Sequence, residues 1–204
     1  AASIEAILKA EKDCVETCFT RADSQSTCCK FGTQGVCCRI CHMGPCKITP
    51  NAPRGVCGAD ADTIVARNFL REVAAGTAAH SDHGRHLVLR LKKVAEGKDP
   101  DYKITDVKAL HRIAKKYKIE TEGREPNDIA LELADLFIGE FTSQEEELKT
   151  LQLAPDKTRA VWEKYKIAPQ GIDRMVVESM HRTHMGVDHD YRNLLDMAFK
   201  TALS

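Results

Sequence analysis

Six cysteines of the chain form one compact frame, Cys29-x7-Cys37-Cys38-x2-Cys41-x4-Cys46-x10-Cys57. An irregular run of thiolates at that density points to iron-sulfur chemistry, because Cys thiolates are the ligands these clusters take. A cubane [4Fe-4S] cluster takes four thiolates, so six leave two over. Those two can hold a second cluster only if another copy of the chain supplies two more. The frame therefore predicts a cofactor and a homodimer together. Cys38, Cys41 and Cys46 lie within nine residues, and Cys57 returns after a Pro-containing loop, giving four ligands for one cluster. Cys37 directly precedes Cys38, and adjacent side chains on extended backbone point to opposite sides, so Cys37 faces away. Cys29 can join it as half of a site that a twofold axis completes. Cys28 rivals Cys29 for that place. Zinc bound by four cysteines is the structural alternative, but zinc sites more often show two separated C-x2-C knuckles, and the pattern favours iron-sulfur.

Cys14 and Cys18 would share a face if a leading helix reaches them, and they are expected to be partly buried free thiols. His80, His83 and His86 recur every three residues, which on a helix places them along one side. Imidazole exchanges protons near neutral pH, so such a row can relay them; a plain polar helix face is the bland alternative. His181 and His184 read as packed, hydrogen-bonded residues near a domain junction. His42 either donates to a cluster thiolate or sits on the surface. Gly32-x2-Gly35 and Gly44 lack the strand-before, helix-after setting of a phosphate loop, and backbone crowding around a cluster explains them better.

The elements that must position these groups are helical. Ile4, Ile7 and Leu8 predict a short helix from Ser3, as a cap, to about Asp13. Periodicity disappears between Cys14 and Cys57, where glycines and prolines indicate a loop-rich cradle with at most single helical turns. Asp60 or Asp62 can cap a run through Ile64, Val65, Phe69, Leu70 and Val73, and Gly76 permits a bend before a second run to Gly97. Further helices are expected at 105–117, 126–142, 144–152, 156–165, 171–183 and 189–203, with no strands. The fold class is all-α, divided into a cradle and dimer interface at 1–59 and a helical bundle at 60–204. The last residues stay in helical register without a capping glycine, and the chain is expected to be a piece of something larger.

Composition narrows the classes of function. Lys plus Arg and Asp plus Glu are equal at 30 each, so overall charge does not point to nucleic acid or a membrane surface. No apolar run is long enough for a membrane span, and no leader pattern is present, so a cytoplasmic protein is expected. All nine cysteines lie between Cys14 and Cys57, which fits a metal site better than a disulfide framework.

The words CCRICHMGPCKI, RGVCGADADTIVARN, AAHSDHGRH, MHRTHMGVDHD and NLLDMAFKTAL closely resemble the N-terminal region of the anaerobic nickel-iron carbon monoxide dehydrogenases, and the match spans essentially the whole chain. The resemblance implies a homodimer in which Cys29 and Cys37 of both subunits bind an interface D-cluster, [4Fe-4S] or [2Fe-2S]. Cys38, Cys41, Cys46 and Cys57 would bind the [4Fe-4S] B-cluster, and both centres would transfer electrons. The catalytic Ni-Fe-S C-cluster would be held by later α/β domains, not by this chain's cysteines. His80, His83 and His86 would begin the proton path from it; relatives can show a fourth histidine one turn on, where this chain has Leu89. Many relatives also carry a longer loop than the ten residues between Cys46 and Cys57, a difference expected to alter solvent cover rather than ligation. Ferredoxin or a similar carrier, and in some relatives an acetyl-CoA synthase subunit, are the implied partners. A hybrid-cluster oxidoreductase, a stand-alone iron-sulfur carrier and a zinc-stabilised adaptor are the alternatives.

Overall fold

A single long helix organises the chain in the computed structural model, which describes residues 2–25, 28–144 and 147–204. This helix, Ala61–Ala95, follows a small N-terminal region made of α1 (Ala2–Lys12), α2 (Cys18–Ser24), α3 (Lys30–Thr33), β1 (Cys37–Cys38) and β2 (Cys46–Lys47), and is α4. After it come α5 (Val107–Lys116), α6 (Pro126–Thr142), a 3-10 turn at Lys149–Leu153, α7 (Asp156–Tyr165), α8 (Ile172–Arg182) and α9 (Tyr191–Leu203). The all-α class holds, with helices at or within two residues of the expected bounds from α5 to α9 apart from the segment before Pro155.

Asp60 starts α4: its carboxylate accepts the Thr63 amide at 2.9 Å, satisfying one of the free N–H groups of the first turn. Thr63, Ile64, Ala66, Arg67, Leu70 and Ala74 are buried at helical spacing, so one face of α4 turns inward. Ala66 and Leu70 pack with Met175 of α8 and with Leu194, Met197 and Ala198 of α9. Farther along, Ala95 joins Leu110 and Ala114 of α5 and Ile129, Ala130 and Leu133 of α6 in a second cluster. Cys38, Ala59 and Ile64 make a third, small core beneath the cysteine segment.

Four expectations for residues 1–95 are corrected. The helix of α4 runs unbroken through Gly76, because packing holds both sides of it: Ala74 lies buried before it, and the Thr77 hydroxyl after it donates to the Thr201 carbonyl of α9 at 2.8 Å. Ser3 lies inside α1, which starts at Ala2 and buries none of its residues. A short antiparallel ladder, Cys37 with Lys47 and Cys38 with Cys46, occupies the segment expected to lack strands; two-residue strands are too short to show alternation. In the same region α2 exceeds a single turn, since Thr17 and Thr20 cap each other's backbone.

The expected helix at 144–152 is replaced by the 3-10 turn, with residues 145 and 146 outside the described ones. Its amides have tertiary partners instead: Leu148 N–H donates to the Pro169 carbonyl at 3.2 Å, and Thr150 N–H to the buried Glu140 carboxylate at 3.0 Å. Competition of this kind overrides local helical register.

A Cβ built on Gly76 meets nothing within 4 Å. Gly76→Ala is therefore expected to raise the unfolding free energy by about 0.5–1 kcal/mol, measured by urea denaturation. A loss of stability would mean that the helix needs glycine there to bend.

Candidate functional site

The cysteine segment is shaped by close backbone approaches. At Gly44 an added Cβ would lie 3.1 Å from both the Cys38 carbonyl oxygen and the Cys46 amide nitrogen, so a side chain in the turn joining the two strands would have to push that backbone aside by a few tenths of an ångström. Gly35 has φ +69 and rests against Val65 of α4, where an added Cβ would lie 3.4 Å from a valine methyl. Asn68 of α4 then fixes the strand entry: its side-chain amide donates to the Gly35 and Cys37 carbonyls, each at 3.1 Å. Gly32 is looser, with its nearest neighbour at 3.8 Å.

The ladder turns Cys37 and Cys38 to different sides. Cys38 is buried and, with Cys41, Cys46 and Cys57, lines one recess, whose other walls include Ile40, Ile64, Arg67 and Met185. Cys37 is half-buried and lies outside that recess, and Cys29 is exposed. Val56 N–H donates to the Cys46 sulfur at 3.4 Å, as backbone around a thiolate-bound centre should. Burial pushes the Cys57 thiol up, but the Ala59 amide and the Arg67 guanidinium, 3.6 Å from its sulfur, outweigh this and leave it lowered. Cys38 moves the other way. Its burial raises the thiol, Ile40 N–H opposes this, and the neighbouring Cys46 adds like-charge repulsion. A bound cation is what would offset the cost of ionising such a buried group.

At Cys29, the backbone amides of Gly32 and Phe31 lower the thiol, with a smaller contribution from Lys47. Neither amide completes a hydrogen bond to the side chain of this helix-capping residue, so the effect is that of nearby oriented dipoles. Cys28 is exposed as well and precedes the capping residue Cys29. Cys14 and Cys18 are exposed rather than partly buried and share no helix: α1 stops at Lys12, Cys14 adopts φ +54, and Cys18 opens α2.

Four thiols around one recess are a donor set that iron-sulfur or zinc chemistry can use. Four thiolates at roughly 2.3 Å from a single zinc must crowd to within about 4 Å of one another. Cys38, Cys41, Cys46 and Cys57 share that recess, and a [4Fe-4S] centre would take the same four thiolates.

Arg67 is the residue that sequence reasoning missed. It is 1% exposed and stands at the recess wall. Its signal was its register: Arg67 lies three residues from both Ile64 and Leu70, at a position expected to be apolar. Met185, also on the wall, comes from the segment between α8 and α9.

His80, His83 and His86 are all exposed along α4, and Leu89 is exposed too. His80 borders a hollow lined by Thr77, Ser81, Gly84, Phe141 and Ile172. His181 and His184 are exposed rather than packed, because Thr183 between them takes the buried position. His42 takes its surface alternative.

A family model described as Prismane/CO dehydrogenase family matches residues 36–204. Carbon monoxide dehydrogenase 1 of Methanosarcina acetivorans is 46% identical over 199 residues, covering 96% of this chain and 32% of that protein. The carbon monoxide dehydrogenase/acetyl-CoA synthase subunit beta of Moorella thermoacetica is 36% identical over 209 residues, covering 100% of this chain and 31% of the relative. A nickel-free crystal structure of carbon monoxide dehydrogenase from Thermococcus sp. AM4 superposes with TM-score 0.89 at 50% identity, covering 98% of this chain and 32% of that one. The chain thus spans about a third of the length of the relatives it matches.

Removing the Asn68 amide leaves two carbonyls of the strand entry without their donor, a loss of about 1–3 kcal/mol if they stay buried. Asn68→Ala is expected to speed hydrogen exchange locally at residues 35–38 while α9 keeps its protection. Unchanged exchange at 35–38 would show that the ladder holds Cys37 without α4.

Proposed function

The chain belongs to the Prismane/CO dehydrogenase family, and we propose that it is the electron-transferring and dimer-forming region of an anaerobic carbon monoxide dehydrogenase. In the full polypeptide the reaction would be CO + H2O to CO2 + 2 H+ + 2 e-, run in either direction. The observation that carries this reading is the recess lined by Cys38, Cys41, Cys46 and Cys57 and faced by the buried cation Arg67. A [4Fe-4S] B-cluster bound there supplies one-electron transfer. The protein's own part is to hold four thiolates at fixed spacing, direct N–H groups at their sulfurs and keep water away with Ile40, Ile64 and Met185.

Cys29 and Cys37 are assigned to a D-cluster shared by two copies of the chain, either [4Fe-4S] or [2Fe-2S]. Their supporting observation is accessibility, since Cys29 is exposed and Cys37 half-exposed, outside the recess of the other four. Apolar residues without a core of their own support a homodimer: Ile4, Leu8, Val15 and Phe19 near the N-terminus and Val65 and Phe69 on α4 are all exposed. In this division residues 1–59 form the cradle and interface, and 60–204 the supporting bundle.

The catalytic Ni-Fe-S C-cluster is assigned to a part of the full enzyme beyond these cysteines, because none follows Cys57. His80, His83 and His86, three residues apart on one unbroken helix, are assigned to moving the protons that CO oxidation releases. Electrons would pass to ferredoxin or a similar carrier. An acetyl-CoA synthase partner is a further reading, favoured by the likeness to the Moorella subunit. A cytoplasmic setting belongs to the proposal because the thiolates must stay reduced; among the described residues no helix is long and apolar enough to cross a membrane.

Anaerobic reconstitution of the chain with iron and sulfide is expected to give a coloured, iron-loaded dimer. Cys37→Ala should lower iron per dimer by the content of one cluster and leave the recess loaded. A colourless, zinc-loaded protein contradicts the cluster reading, and unchanged iron and dimerisation in Cys37→Ala contradict the shared site.

A further inference from the structure

Arg67 is buried without a carboxylate partner. Its Nε donates to the Asp188 carbonyl oxygen at 3.2 Å, Nη2 donates to the same oxygen, and Nη1 reaches the Cys57 sulfur at 3.6 Å. No ion pair of Arg67 occurs among the described residues, and the carboxylate of Asp188 is engaged elsewhere. Its Oδ2 lies 3.4 Å from Arg182, and its Oδ1 accepts the Asp190 amide at 3.0 Å. Buried guanidinium groups are normally paired with negative charge. The groups facing this one that can carry such charge are the thiols of the recess.

The fork is also held rigidly. On the turns before and after it, the Thr63 hydroxyl donates to the His189 carbonyl at 2.8 Å, and Arg71 Nη1 to the Thr183 hydroxyl at 2.9 Å. Residues 183–189 therefore lie strapped along α4, and Met185 of that strap contributes to the recess wall. The strap excludes solvent and fixes two of the Arg67 nitrogens, leaving the third directed at Cys57.

We propose that Arg67 is a positioning residue that sets the reduction potential of the centre held by Cys38, Cys41, Cys46 and Cys57, presenting a permanent, strapped positive charge to the Cys57 sulfur. The inference rests on the cluster reading given above. Reduction adds one electron, and with it one unit of negative charge, while no bond forms or breaks. A fixed cation and an N–H···S contact favour the more negative state, and burial keeps solvent and salt from screening them. Arg67 therefore raises the potential. Lysine keeps the charge but lacks the planar fork that binds Asp188 and Cys57 together, so it replaces arginine only in part.

Wild type, Arg67→Gln, Arg67→Lys and Arg71→Gln are to be reconstituted anaerobically, assayed for iron and titrated with EPR detection of the reduced centre. Arg67→Gln is expected to load fully and, at the wild-type midpoint, to show a reduced-to-oxidised ratio lower by roughly tenfold or more. Arg67→Lys should fall between, and Arg71→Gln, which ties the same strap but touches no cysteine, should match wild type. A fully loaded Arg67→Gln with an unmoved ratio overturns the inference alone. Failure of wild type to take up iron overturns the cluster reading and the inference with it. Should Arg67→Gln not fold, wild type labelled with 15N at the arginine guanidino positions decides: a hyperfine coupling from arginine nitrogen to the reduced centre is expected, and its absence overturns the inference.

Discussion

On three successive turns of α4, Thr63, Arg67 and Arg71 donate hydrogen bonds to the segment between α8 and α9, joining residues 112 to 126 positions apart in the chain. This row makes the N-terminal cysteine segment and the C-terminal helices parts of one structure. The three donors are partly or fully buried, where each lost bond would leave an uncompensated polar group. The constraint also explains why α4 stays continuous over 35 residues: its first half is tied to the strap and α9, its second to α6 and α8.

The cysteine segment depends on that support because it has little core of its own. Cys38, Ala59 and Ile64 are its buried residues, with Ile40, Ile48 and two further cysteines packed around them. Such a segment resembles small metal-binding units, in which binding free energy supplies much of the folding free energy. The backbone of the segment is held by the Gly44 turn and the Asn68 contacts. The recess then combines a thiol favoured as thiolate, Cys57, with one that burial disfavours, Cys38. Arg67 acts to lower each of them, prevailing at Cys57 and being outweighed by burial at Cys38.

Much of this was legible in the residues. Prolines, acidic caps and helical periodicity located α5 to α9; of these, α6, α8 and α9 pack on α4 and α5 packs on α6, so their apolar spacing follows the usual register. The grouping of Cys38, Cys41, Cys46 and Cys57 apart from Cys37 followed from the alternation of an extended chain, and the short ladder provides that alternation. Other features depended on partners distant in sequence. The amides of 148–150 are taken by Pro169 and Glu140, which no local pattern announces. Gly76 looked like a bend because the contact of Thr77 with Thr201 could not be read from neighbours. Arg67 stood in the apolar register of α4, and only its partners reveal why a charge belongs there.

The central claim is that one copy of this chain holds a cubane with its own four thiolates. Mössbauer spectroscopy of the Cys37→Ala chain reconstituted with 57Fe tests it most directly, because that variant retains the recess alone. The account expects the delocalised mixed-valence iron pairs of an oxidised [4Fe-4S] centre, at about four irons per chain. A spectrum of isolated, tetrahedrally thiolate-bound iron, or of no bound iron, would contradict it.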